Sequence, residues 1–126
     1  MSEFYYRDLS NTILAACYKV HTALGPGLFE TAYEACLEHE LLKLGLTVER
    51  QLRLPIVYED LVIPDAYKLD LLINECILIE LKSVATLLDL HFKQLYTYMR
   101  LSQTKVGYLI NFNEVHLKDG IHRRVL

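Results

Sequence analysis

The residues of this chain best suited to chemistry are two acids and a lysine in neighbouring apolar runs, Asp70, Glu80 and Lys82. Side chains alternate along a strand, so Glu80 and Lys82 should share one face of the second run. A tight turn at Asn74 and Glu75 would bring Asp70 beside Glu80 in a hairpin. We therefore expect two carboxylates and an ammonium group to converge.

Two acids and a lysine on one strand face suit the hydrolysis of a phosphate ester. Mg²⁺ or Mn²⁺ typically binds one or two carboxylates and completes its shell with water and phosphate oxygens. Asp70 and Glu80 are the expected metal ligands, and Lys82 would orient or deprotonate the attacking water. The spacing alone equally allows a surface ion pair of Glu80 with Lys82 on an edge strand, because Glu-x-Lys is common.

The periodicity of apolar residues predicts the elements that must position these groups. Helical spacing covers 9–24, 28–45 and 88–101, and Ser10 or Asn11 could cap the first helix. Extended patterns cover 47–50, 52–58, 67–73, 76–81 and 106–112. A final helix-to-strand crossover after an antiparallel meander predicts an α/β fold whose mixed sheet carries helices on its faces.

The composition bounds the class of protein. A chain of 126 residues, of which 52% are hydrophobic, is expected to form one domain over 1–126. No run approaches the roughly 20 apolar residues of a membrane span, and the first residues lack a signal pattern, so we expect a cytoplasmic protein without membrane contact. The formal charge of -3 argues mildly against a nucleic-acid partner, although a local basic rim could still face phosphate.

The segment 27–33 reads Gly-Leu-Phe-Glu-Thr-Ala-Tyr and matches the pattern Gly-x-x-Glu-x-x-Tyr. The chain thereby resembles the GxxExxY family of small bacterial and archaeal proteins, classed in the PD-(D/E)XK nuclease superfamily. The similarity continues through Asp70 and the triplet 80–82 to Asn111 and Phe112. It implies a restriction-endonuclease-like core, α-β-β-β-α-β, in which Asp70, Glu80 and Lys82 are catalytic.

The resemblance also implies roles for three residues on helices. In related nucleases an acid of the first core helix completes the site, and the family pattern favours Glu30. Gln94 and Tyr98 resemble a Gln-x-x-x-Tyr element beside the active centre, where they could contact a phosphate or nucleotide. A structural role for the tyrosine and glutamine is an equal alternative. Glu34 and Glu38 are expected on a solvated acidic face.

The superfamily's Pro-Asp pair occurs in this chain as Pro64-Asp65, whereas Asp70 follows Leu69. We nevertheless expect Asp70 to be the first acid. It lies inside the apolar strand pattern next to the Glu80 strand, while Pro-Asp is ordinary turn chemistry at a strand entry.

These observations predict a Mg²⁺- or Mn²⁺-dependent nuclease that acts on DNA. The alternative is a non-catalytic module that keeps the fold and binds nucleic acid or a partner protein. Nine tyrosines, among them Tyr5, Tyr6 and Tyr108, further suggest a twofold homodimer, although tyrosines usually cover or fill a core.

Overall fold

The computed structural model describes residues 6–126, which form three α-helices and one five-stranded sheet. The helices are α1 (Arg7–Leu24), α2 (Glu30–Lys43) and α3 (Asp89–Ser102). The strands are β1 (Val48–Tyr58), β2 (Leu61–Ile73), β3 (Ile77–Lys82), β4 (Val106–Asn111) and β5 (Ile121–Val125), with a short 3₁₀ helix (Leu117–Gly120) before β5. The predicted α/β fold, a mixed sheet flanked by helices, is confirmed.

The strands follow the order β1-β2-β3-β4-β5 across the sheet. All neighbours pair antiparallel except β3 and β4, which are parallel because α3 carries the chain back between them. The predicted turn between β2 and β3 is present: Asn74 and Glu75 both have positive φ, 51° and 57°, and the Cys76 amide donates to the Ile73 carbonyl at 2.9 Å. This geometry is that of a type I′ hairpin turn.

The two faces of the sheet carry separate apolar clusters. The larger cluster joins α1 and α2 to the sheet, and the smaller one lies under α3. On the α3 face, Gly107 allows close packing, because a Cβ at this position would lie 2.7 Å from the Met99 Sδ atom. This close contact fixes α3, and with it the helical residues of the candidate site, against the centre of the sheet.

Several predicted details were wrong. The first helix begins at Arg7, so Ser10 is a buried residue inside it rather than its cap, and the Ser10 hydroxyl has no hydrogen-bond partner. Segments 47–50 and 52–58 are not separate strands, because Val48–Tyr58 form one continuous strand. Strand β5 was not predicted, because its sequence, Ile-His-Arg-Arg-Val, is too polar and short to stand out.

The tyrosines named for a dimer interface have different environments. Tyr108 is buried in the core, so it cannot anchor an interface, whereas Tyr6 is exposed and Tyr5 lies outside the described residues. Among residues 6–126, no helix is long and apolar enough to cross a membrane.

Candidate active site

Asp70 on β2 and Glu80 on β3 form an acid pair at the point where the pairing of these strands ends, just past Leu71 and Ile79. The Asp70 amide donates to Glu80 Oε2 at 2.9 Å, and the Leu81 amide donates to Asp70 Oδ2 at 2.9 Å. Each carboxylate therefore accepts a hydrogen bond from the backbone of the opposite strand. These two bonds replace ladder bonds and hold the acids side by side.

The position of Asp70 beside Glu80 depends on a break in the alternation of side chains along β2. Leu69 and Leu71 lie two residues apart and would share a face in a regular strand, yet Leu69 packs under α3 and Leu71 packs against α1 and α2. The register pairs Arg50 with Leu71 and Leu52 with Leu69, which leaves Asp70 opposite a residue of β1 with an unusual backbone. That residue, Gln51, has a φ of +54°. Along both strands, the side chains thus change from one face of the sheet to the other at Asp70 and Gln51.

The acid pair is electrostatically unfavourable when it stands alone. Burial, followed by the charge of Asp70, raises the pKa of Glu80 to about 8, and the Asp70 amide only partly opposes this. Burial also raises the pKa of Asp70, against the effect of the Leu81 amide. Two adjoining carboxylates that are costly to ionise indicate a site that a cation would stabilise.

Lys82 contributes positive charge to the acid pair. Alternation from Leu78, which lies under α3, puts Glu80 and Lys82 on that same face of β3. The Lys82 charge lowers the pKa values of both acids, although within residues 6–126 its ammonium group makes no ion pair shorter than 4.0 Å. Since β3 is a central strand and Glu80 is 5% exposed, a surface ion pair on an edge strand does not describe these residues.

Glu30 enters the site from the first residue of α2. Its Oε1 atom accepts a hydrogen bond from the Ser83 amide at 3.3 Å, directly after Lys82 in the chain. The charge of Glu30 also contributes to the raised pKa of Asp70. The structure therefore brings Glu30 to the edge of the site, in contact with the segment that follows β3.

The expectation of a solvated Glu34 was wrong. Glu34 is buried, and its carboxylate accepts hydrogen bonds from Arg50 Nε at 2.7 Å and from Gln51 Nε2 at 2.8 and 3.0 Å. Gln51 Nε2 also lies 3.4 Å from Asp70 Oδ1. Glu34 is thus linked to the acid pair through Gln51. Its spacing of four residues from Glu30 on α2 was the one sequence signal for this position.

Gln94 and Tyr98 reach the site from α3. Gln94 Nε2 donates to the Tyr98 hydroxyl at 3.2 Å. Burial raises the pKa of Tyr98, and the charges of Glu80 and Asp70 raise it further. The Tyr98 hydroxyl is therefore close enough to the acid pair for the charges of the acids to affect its pKa. Gln94 binds this hydroxyl from the exposed side of the helix.

Asn111, a buried residue at the end of β4, holds the chain beyond Lys82. Its side-chain amide donates to the Val84 carbonyl at 2.9 Å, and its Oδ1 accepts from the Val84 amide at 3.1 Å. The Phe112 amide donates to the Lys82 carbonyl at 2.8 Å. These bonds fix the backbone of the segment that carries Lys82 and Ser83.

The donor set fits a hard divalent cation. Asp70 and Glu80 supply carboxylate oxygens: Glu80 Oε1 accepts no backbone hydrogen bond across the β2–β3 pair, and Asp70 Oδ1 accepts only the long bond of 3.4 Å from Gln51. Among the residues that the structure describes, no three acidic, histidine or cysteine side chains surround a common point. A site with two carboxylates, in which water and substrate complete the shell, suits Mg²⁺ or Mn²⁺ better than an ion that needs a full protein cage.

The comparison with protein families agrees with this arrangement. Residues 7–124 match a family described as PD-(D/E)XK nuclease superfamily. Among curated proteins and among solved structures, none matches this chain. Nucleases of the matched superfamily generally use divalent metal ions.

Proposed function

The chain belongs to the PD-(D/E)XK nuclease superfamily, and from that membership we propose that it is a metal-dependent nuclease that hydrolyses phosphodiester bonds in DNA. The observation that carries this proposal is the acid pair of half-buried Asp70 and buried Glu80, which two backbone hydrogen bonds link and which Lys82 adjoins. A module that only binds has no physical need for two costly carboxylates at the centre of its sheet.

The proposed division of roles follows from charge and position. Asp70 and Glu80 would hold Mg²⁺ or Mn²⁺, which when bound polarises a phosphoryl oxygen and lowers the pKa of water. Lys82 orients the attacking water and offsets the negative charge that develops on the phosphate. Gln94 and Tyr98 contact the substrate from α3, and Glu30 assists from α2.

Several finer points are part of the same proposal. We assign the chain to the GxxExxY group because the pattern includes Glu30 and Tyr33, and Tyr33 is a core residue that also anchors the loop before α2. A single domain over 1–126 is supported by the continuous sheet, and a cytoplasmic location by the three free thiols.

We also propose a twofold homodimer. Its support is a group of exposed apolar residues rather than the number of tyrosines. The turn between β1 and β2 carries a group of exposed apolar residues, here named the hairpin tip: Val57, Tyr58, Leu61, Val62 and Ile63. Contiguous exposed apolar residues beside an edge strand are typical of surfaces that pair with another chain.

Cleavage by a matched pair of variants tests the catalytic proposal. The parent should cleave DNA in the presence of Mn²⁺, and Lys82→Ala should reduce the rate by about 10²–10⁴-fold because the water loses its orienting group. Lys43→Ala is the control, since it removes the same charge from an exposed position roughly 20 Å from Glu30 along α2.

Single-stranded and duplex DNA, and the corresponding RNAs, should each be offered with Mg²⁺ and with Mn²⁺. A parent that binds nucleic acid but cuts none of these substrates would favour the non-catalytic module. Equal cleavage by Lys82→Ala and the parent would remove Lys82 from the mechanism.

A further inference from the structure

Phe29, the residue directly before Glu30, presents its ring to solvent beside the candidate site. The side chain is 87% exposed, more than any other large apolar side chain in residues 6–126. Burying a phenylalanine normally contributes roughly 1.5–3 kcal/mol to folding, and this ring contributes almost none of it. Its position therefore has no explanation in the packing of the core.

The backbone directly before this ring is held at Leu28, whose amide and carbonyl groups both make hydrogen bonds. The Tyr33 hydroxyl accepts a hydrogen bond from the Leu28 amide at 3.1 Å and donates to the Gly25 carbonyl at 2.5 Å. The Ser83 hydroxyl donates to the Leu28 carbonyl at 2.5 Å. An aromatic ring on a fixed backbone loses little further entropy when a ligand packs against it.

The ring also borders a cleft that adjoins the catalytic residues. Phe29, Glu30, Thr31 and Ser83 line an open cavity of about 360 Å³. Ser83 directly follows Lys82, and Glu30 accepts a hydrogen bond from the Ser83 amide. The cleft therefore adjoins the chain one residue beyond Lys82, on the side of the site that Glu30 borders.

We propose that Phe29 stacks against an unpaired base, and that the substrate of this site is single-stranded DNA; this rests on the proposed nuclease function. The faces of the bases in a duplex are covered by their neighbours, whereas an unpaired base exposes a face to an aromatic ring. Stacking is also independent of charge, which suits a chain whose formal charge is -3 and whose affinity for phosphates is correspondingly limited.

Binding of three fluorescent oligonucleotides, with Ca²⁺ in place of Mg²⁺ to prevent cleavage, tests this inference. They are a short oligothymidine, an abasic strand of equal length, and a blunt duplex. The parent should bind the oligothymidine best, and Phe29→Ala should weaken that binding about tenfold while leaving the abasic strand unaffected. Phe29→Trp should restore the affinity for oligothymidine.

Leu42→Ala is the matched control, because Leu42 is also an exposed apolar residue and lies near the far end of α2, roughly 20 Å from Phe29 along the helix. Three results would each overturn the stacking role. Phe29→Ala and the parent could bind oligothymidine equally, Phe29→Ala could weaken binding of the abasic strand as much as that of oligothymidine, or the parent could prefer the duplex. If the parent still cleaves DNA in any of these cases, the proposed nuclease function stands. A parent that neither binds nor cleaves nucleic acid overturns both proposals.

Discussion

The two ends of strand β2 depart from ordinary burial in opposite directions. Near one end, the acid pair puts the Glu80 carboxylate in the interior, where Glu80 is 5% exposed and Asp70 is half-buried. At the other end, the hairpin tip puts apolar side chains in water, with Tyr58 65% exposed. Polar groups are usually outside and apolar groups inside, so each departure requires a physical explanation.

The difference between the regions lies in what holds them. The acid pair is fixed by backbone hydrogen bonds from the opposite strands, and Gln51 links Asp70 to Glu34 of α2. The hairpin tip is held by the pairing of β1 with β2, for example Val57 with Val62. A rigid, costly interior site is typical of chemistry, and an exposed apolar tip is typical of association.

Of the substitutions that compare these two regions, Asp70→Ala should have the largest effect, and it tests whether the interior site is a metal site. The variant should lose cleavage by about 10²–10³-fold, because a ligand and a hydrogen bond to the Leu81 amide are removed. The parent should also be stabilised by Mn²⁺, by about 2.7 kcal/mol at a concentration one hundred times its dissociation constant, and the variant should not. Thermal unfolding with and without Mn²⁺ measures the second effect.

Asp65→Ala is the control for that comparison. Asp65 belongs to the literal Pro-Asp pair but is exposed, and it lies about 16 Å along β2 from Asp70. If Asp65→Ala abolished metal binding while Asp70→Ala did not, the identification of the acid pair would be wrong.

The next effect concerns the cost of burying Glu80. In the metal-free protein the pKa of Glu80 is raised from 4.5 to about 8, so between these values the folded state keeps a proton that the unfolded state has lost. Stability should therefore be fully present below pH 4.5 and should fall as the pH rises towards 8. The Glu80→Gln side chain has no proton to lose. The free energy of unfolding of this variant should therefore change less over this pH range, by on the order of a few kcal/mol.

Urea unfolding at a series of pH values, in the presence of a chelator, measures this slope. Saturating Mn²⁺ should reduce it in the parent, because the ion replaces the proton. Equal slopes for the parent and Glu80→Gln would mean that Glu80 is ionised at an ordinary pH and carries no such cost.

The smallest effect on folding is expected at the hairpin tip. Tyr58→Lys should change the free energy of unfolding of the monomer by no more than about 0.5 kcal/mol, because the side chain is exposed and has few contacts to lose. If the tip is the dimer contact, the same substitution should convert a dimer to a monomer. Light scattering at micromolar concentration reports the mass.

A monomer mass for the parent, maintained with metal and DNA present, would retire the homodimer. A dimer that persists in Tyr58→Lys would locate the contact elsewhere and would leave the exposed tip without an explanation.

The sequence by itself determined the order of the three helices and of strands β1 to β4, and the turn between the strands of Asp70 and Glu80. Local patterns were sufficient here: apolar periodicity gave three helices and most strands, and Asn74-Glu75 gave the turn. The run 77–81 is strongly apolar, which predicts a strand, and it forms most of β3. These features depend on interactions between residues close in the chain, which a single sequence records directly.

Tertiary structure alone decided how the site is completed. The turnover of β1 and β2 at Gln51 and Asp70 breaks the alternation on which sequence reasoning relies, and the positive φ of Gln51 has no sequence signature. The sequence pattern predicts a solvated position for Glu34 on its helix. Glu34 is buried instead, because Arg50 and Gln51, which are distant in the sequence, supply its hydrogen bonds. Whether a charged side chain is buried depends on partners from other elements, and no local pattern specifies them.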